Sequence, residues 1–350
     1  MRATHPLRLP TSCTLRRLSA LTVVTLALTI SSCSLREGTQ SLAITSLTAQ
    51  EADAVKPQDS ISDMDNQPLS TASGVVTMST SYVVGGIGST TKEMATTVVS
   101  RERSTDKFQW ALSVKPAVTD QERITYADNA QSAMRENVGR SSTGSVVVSP
   151  DGRHLSLILL PAEQQSGETA ADLSTHIVVL EAKTGKTVRD ATVSGIVLGQ
   201  ALTNSTLVVE TAQNYFPAGS GKGTISTFSL TDTSARPSSF PTDKWLVGAT
   251  REDLVLAPNL LPESCLFGCS LTTVSLVSID GSTAGSVTGV TAVHPGGWIR
   301  RLADPKTVSD LWQRSRTASE EEKKSLSSSW ETLEQQLVNP SIKKTIDITG

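Results

Sequence analysis

The chain is 350 residues long, carries 4% aromatic side chains and has a formal charge of −3. That length supports one large all-β domain or two ordinary ones with a sizeable core, and the acidic balance excludes a basic nucleic-acid-binding role. Plentiful Ser, Thr and Val, interrupted by Gly, Asn, Asp and Pro, predict many short strands joined by turns rather than long helices.

Arg2, Arg8, Arg16 and Arg17 make a positive start, with no acid in the first 32 residues. An uncharged run from Leu18 to Ile30 follows. It is shorter than the roughly 20 residues that span a bilayer but suits the apolar region of a secretory signal. Ile30-Ser31-Ser32-Cys33 then resembles the lipobox of bacterial lipoproteins: an aliphatic residue, two small residues and a cysteine. The resemblance implies that residues 1–32 are a signal peptide and that Cys33 is lipidated, becoming the new N-terminus on the extracytoplasmic face of the membrane. Ser32 is less usual there than Gly or Ala, and the competing reading is a plain secretory signal. Arg16-Arg17 fits twin-arginine export, but Ser19 and Ala20 stand where that signal is apolar, which favours the general secretory route.

Residues 33–73 are polar and acidic without a sustained period, which predicts a flexible tether between the lipid anchor and a folded domain at 74–350. From Gly74 onward hairpins recur. A first unit is faint in "GVVTMSTSYVVGGIGS" and "TTVVSRERSTDKFQWALSV". Four clearer hairpins follow, "VVVSPDGRHLSLILL", "QALTNSTLVVET", "VGATREDLVLAP" and "TAVHPGGWIRRL". Their second runs resume at Leu155, Leu207, Leu254 and Trp298, spaced by 52, 47 and 44 positions. Each is followed by another hairpin, with Leu180, Leu230, Ile279 and Val338 just before the turn. Two hairpins per period make a four-stranded antiparallel unit, and radial stacking of such units builds a β-propeller.

"VVVSPDGRHLSLIL" resembles the inner strands of an exported or WD40-like propeller blade, and "VVLEAKTGK" the outer hairpin of quinoprotein-dehydrogenase-like blades. The resemblance implies an all-β, propeller-like array of about five four-stranded blades. A pair of β-sandwiches is the alternative. The paired Trp-Asp signature and tryptophan-docking motifs that would assign a subclass are not found in the sequence.

"PAGSGKGTIS" (217–226) lacks the spacing of a phosphate loop, since Phe216 and Gly223 occupy positions that need Gly and Ser/Thr, and it runs into an alternating β pattern. It reads as a hairpin tip. Cys265 and Cys269 in "ESCLFGCS" read as a small disulfide clip outside the cytoplasm, in preference to a redox or metal site. Asp304-Pro305 and the Ser319/Glu322 capping box predict a helical insertion over about 305–335, with Trp312 and Trp330 packing it onto the propeller or docking a partner. His154, His176 and His294 are dispersed and form no metal pattern. Arg300-Arg301 can bind an anion, though a structural or solvated role is the plainer reading.

No Gly-x-Ser-x-Gly elbow is present, and the acidic residues fall mainly in turns, the tether and "SEEEKK". The expectation is therefore a non-catalytic, lipid-anchored envelope protein without cofactor or metal, scaffolding a protein or glycan. A small-ligand or sensor module is the alternative, and a quinoprotein-like enzyme ranks behind both.

Overall fold

The structure is a computed structural model that describes residues 41–55, 68–84, 92–119, 143–161, 172–213, 223–258, 272–331 and 334–348. All of them belong to the compact unit Gly38–Gly350. Cys33, Cys265, Cys269 and the glycine-rich stretch through Lys222 lie outside the described residues.

Twenty strands are described, and they form successive antiparallel meanders. Blade 1 contains β2 (Leu69–Ser70), β3 (Val75–Val84), β4 (Lys92–Arg101) and β5 (Phe108–Lys115), with β1 (Ala43–Leu47) added outside β5. Blade 2 is β6 (Val146–Val148), β7 (His154–Ile158), β8 (Ser174–Glu181) and β9 (Thr187–Ser194). Blade 3 is β10 (Ile196–Leu202), β11 (Thr206–Ala212), β12 (Gly223–Ser229) and β13 (Ser238–Thr242). Blade 4 is β14 (Trp245–Ala249), β15 (Leu254–Ala257), β16 (Thr272–Val277) and the first part of β17 (Thr283–His294). The second part of β17 starts blade 5, followed by β18 (Trp298–Leu302), β19 (Gln335–Asn339) and β20 (Lys344–Ile348).

Both faces of each inner strand are covered, so these strands read as continuous apolar runs instead of alternating ones. β10 and β15 are buried along their whole length. Cores lie between neighbouring blades. Val76, Val98 and Leu112 meet Leu155, Leu157 and Leu180 between blades 1 and 2. Ile177 and Val179 meet Leu207, Val209 and Phe228 between blades 2 and 3. Ile225 meets Leu246 and Leu254 next, and Val255 and Val274 meet Val293 and Ile299 last. Each fully buried aliphatic side chain stabilises the fold by about 1.5–3 kcal/mol.

The chain passes from the outer strand of blade 2 to the inner strand of blade 3 through Gly195 alone, at φ 94. A Cβ there would stand 2.6 Å from the Ala212 carbonyl oxygen, so glycine is required by both conformation and space. Gly289 repeats the device within β17, at φ 71. The first strands of blades 2, 3 and 4 adjoin one another, and a single 3-10 turn at Pro295–Gly297 packs against β6 and β14. This is the arrangement of a β-propeller-type array, as the repeat predicts.

The N-terminal boundary differs from the sequence reading. Residues 43–54, assigned to a tether, form β1 and helix α1 (Ala49–Ala54). β1 pairs along its full length with β5, and α1 is closed by a Thr48/Glu51 capping box. Five strand residues are too few to show a period, and β1 draws its support from the edge of blade 1. The helical insertion is present as expected, as α2 (Pro305–Thr317) and α3 (Glu320–Glu331) between β18 and β19.

Candidate interaction surfaces

The turns between first and second strands gather at one end of the array, and in blades 1 to 4 each opens on a buried hydroxyl. Thr71 Oγ1 accepts from Gly74 N–H at 3.1 Å, Ser149 Oγ from His154 N–H at 3.0 Å and Thr250 Oγ1 from Asp253 N–H at 3.0 Å. Thr203 Oγ1 takes Ser205 N–H at 3.3 Å. A bond from each turn then reaches the next blade. Ala72 N–H donates to Gly152 O at 2.9 Å, Asp151 N–H to Asn204 Oδ1 at 3.1 Å, Asn204 N–H to Arg251 O at 2.9 Å, and Arg251 N–H to Ser341 Oγ at 3.1 Å. The five blades are thus linked in order by a belt of hydrogen bonds. The sequence reading found these turns through their Asp, Asn and Gly residues and missed the preceding hydroxyl in "TASG", "SPDG", "TNST" and "TRED".

Outer-strand clasps reinforce the belt. Trp110 Nε1–H of blade 1 donates to Ala182 O of blade 2 at 3.0 Å, with Gly185 against its ring. An indole thus spans one blade junction, a contact the sequence reading did not single out. Arg189 of blade 2 lies 5.6 Å from the Phe228 ring centroid and donates to Thr233 O at 2.7 Å in blade 3. Gly281 of blade 4 rests on Phe240 of blade 3. Two buried polar side chains inside the array were also missed. Gln200 Oε1 accepts from Ser156 Oγ at 2.7 Å, while its Nε2 donates to Gly144 O and Ser145 O. Glu210 Oε2 accepts from Leu246 N–H at 2.9 Å.

By antiparallel alternation, connections between second and third strands leave from the opposite end. β11 and β12 pair antiparallel up to Thr211↔Thr224, and no helix follows Lys222, so the flanks of the glycine-rich stretch are those of a hairpin. In blade 5 the corresponding connection is the α2–α3 hairpin. Asp304 caps α2 by accepting from Lys306 N–H and Thr307 N–H, and its carboxyl is held below the usual range first by Thr307 Oγ1–H and then by these amides. Glu322 accepts from Ser319 N–H at 2.8 Å and Ser319 Oγ–H at 2.9 Å, which lowers its pKa likewise. Leu311 and Leu326 are buried, whereas Lys306, Asp310, Gln313, Arg314, Glu321 and Lys324 are exposed. The side chains of Trp312 and Trp330 lie outside the described residues.

The three histidines stay apart. His154 begins β7, its pKa depressed by burial against the opposing pull of Asp151 and Glu181. His176 Nδ1 stands 3.1 Å from Asp190 Oδ1 across β8 and β9. His294 ends β17, and burial, then the nearby Arg300 charge, depress its pKa. Among the described residues no three His, Cys, Asp or Glu side chains converge as metal ligands. The arginine pair divides across the sheet. Arg301 bonds Gln336 Oε1 through Nε and Nη2, and Gln336 Nε2–H donates to Asp347. Arg300 points to the other face, where its Nε is buried without a hydrogen-bond partner.

These features define a β-propeller-type protein with belted turns at one end and a charged helical hairpin at the other. No protein-family model matches the chain, and no curated protein does. Among solved structures it is similar to the β-propeller domain of the Trilobed protease from Pyrococcus furiosus, at 10% identity and TM-score 0.37 over 81% of this chain and 70% of that one. It is also similar to TolB from Acinetobacter baumannii, at 9% identity and TM-score 0.30 over 77% of this chain and 52% of that one. An acylaminoacyl peptidase from Pyrococcus horikoshii aligns at 11% identity and TM-score 0.33, over 68% of this chain and 42% of the peptidase.

Proposed function

We propose that this is a lipid-anchored, extracytoplasmic β-propeller protein that acts without a catalytic centre of its own, as an interaction scaffold for an envelope protein or glycan. The anchor rests on the charged start, the uncharged run and Cys33. The scaffold role is carried by one observation: blade 5 carries, between two strands that already pair with each other, a capped hairpin whose outward side chains are charged and exposed. A connection of that length is far longer than the strand pairing needs, so its surface is available for a partner.

Two measurements test the reading. Radiolabelled palmitate is incorporated into the wild-type chain and not into Cys33→Ser; equal labelling of both, or of neither, removes the anchor. A photo-crosslinking residue at Gln313 or Lys324 gives one discrete envelope adduct that the same residue at Asp190 on β9 does not. Identical adduct patterns at both places count against the hairpin as the docking surface.

A further inference from the structure

The strand order fixes the end of the array at which β1 begins. β1 runs antiparallel to β5, with Ala43 opposite Lys115 and Leu47 opposite Ala111. β5 departs from the turn over 102–107, and that turn lies with the belt, because Arg103 Nη2 donates to Thr71 O at 3.3 Å. Lys115 and Ala43 therefore stand at the opposite end of blade 1. Asp53 of α1 pairs with Arg101 at 2.6 Å, so the chain runs from Ala43 back toward the belt. The connections between second and third strands leave from the same end as Ala43, the α2–α3 hairpin among them.

β1 is held at several points. All five of its residues pair with β5, Leu42 and Ile44 pack against the core between blades 1 and 2, and α1 is both capped and ion-paired. Residues 34–41 are then all that separates Cys33 from the docked Leu42. Nine backbone steps span at most about 30 Å at full extension. A strand of ten residues such as β4 is itself about 30 Å long. Cys33 thus reaches the belted end only by lying stretched along the whole blade, whereas a coil of nine residues, with an r.m.s. span of about 15–18 Å, serves the hairpin end unstrained. The hairpin is not drawn to anionic lipid by its own charge, since residues 304–331 contain six acidic and five basic side chains.

We propose that the end of the array carrying the α2–α3 hairpin faces the lipid bilayer, held there by the short leader that enters through β1, while the belted turns face away. This rests on the proposed lipidation of Cys33 and deepens the scaffold role: the hairpin's partner is a molecule exposed close to the membrane surface.

Energy transfer tests the orientation. The full lipid-modified chain is bound to vesicles containing an acceptor-labelled lipid. A donor is coupled to an unnatural residue at Lys324 or Asp243, exposed at the hairpin end, or at Glu252 or Asp280, exposed at the belted end. Transfer from the first pair exceeds that from the second by about twofold or more, as a separation of one strand length requires. A Gly/Ser linker of about 20 residues inserted between Glu37 and Gly38 erases the difference. The same linker between Val55 and Lys56, beyond the docked β1, leaves it intact. Failure of the wild-type chain to float with the vesicles removes the anchor, and the orientation with it. Flotation with equal transfer from both ends, or stronger transfer from Glu252 and Asp280, leaves the anchor standing and overturns the orientation. A difference that survives the first insertion overturns it as well, because the hairpin would then be binding lipid directly, and one that the second insertion also erases shows that β1 does not hold the leader.

Discussion

Trp110 and Gly185 lock blade 1 to blade 2: the indole lies so close beneath the glycine that a Cβ there would stand 2.8 Å from the ring carbons. Gly185 also sits at φ 71, where a side chain is strained. Gly185→Ala therefore destabilises the fold by about 1–3 kcal/mol through overpacking and backbone strain. Trp110→Phe keeps most of the buried area and loses the bond to Ala182 O, at a cost of about 1 kcal/mol. Ser73 Oγ–H still donates to that carbonyl at 2.9 Å, which limits the loss. Chemical denaturation measures both, and a harmless Gly185→Ala would refute the close contact.

Gln200 offers a second test inside the array. It is fully buried, and its amide ties blade 3 to groups of blade 2 and the segment leading into it. Gln200→Leu preserves volume but strands the Gly144 carbonyl and the Ser156 hydroxyl, at about 1–3 kcal/mol for each orphaned group. Adding Ser156→Ala removes one orphan. The double variant is then more stable than Gln200→Leu alone, and simple additivity of the two losses would show that the side chains are not coupled.

How much of this was legible in the sequence depends on whether a signal was repeated. Hairpins were readable because Leu155, Leu207 and Leu254 recur after similar turns, and the helical insertion because Asp304 and Ser319 cap in recognised patterns. β1 was not, since five residues carry no period and its partner, β5, lies some 70 positions away. Gln200 and Glu210 each interrupt an apolar strand once, and a single polar residue does not reveal which neighbouring blade will satisfy it. The Trp110–Gly185 contact joins two ordinary residues that only the packing of blades brings together. Arg300 and Arg301 are adjacent in sequence, yet strand alternation bonds Arg301 to Gln336 and leaves the Nε of Arg300 without a hydrogen bond on the other face.

His154 and His294 set a pH dependence. Burial lowers both folded-state values below the ordinary 6.5. The unfolded chain then binds protons more readily than the folded one as pH falls below about 6.5, so their contribution to stability is full above that value and lost on acidification. Unfolding free energy accordingly rises between pH 5 and pH 7. His294→Gln flattens that rise, because a titrating ring disfavoured first by burial and then by the Arg300 charge is gone. A slope in the wild type that His294→Gln and His154→Gln both leave unchanged would assign the effect to other groups.

The base of the α2–α3 hairpin decides whether the insertion is structural. β18 and β19 pair through Leu302↔Gln335, and Ala303 N–H donates to Glu334 O at 2.9 Å just before the helices depart. The ladder is thus already closed where the insertion begins, and a short Gly/Ser turn can join the strands. Among the described side chains, Leu311 and Leu326 are the buried ones that leave with the hairpin, and α2 and α3 contact each other more than any strand. Replacing residues 304–333 by such a turn therefore keeps the circular dichroism of the strands and shifts Tm by no more than a few degrees. Under the proposed function the same variant, treated in the envelope with a soluble bifunctional crosslinker, loses the discrete adduct that the full chain gives. A cooperative transition that disappears on deletion would instead make the hairpin part of the core of blade 5, and its charged surface would then need no partner to explain it.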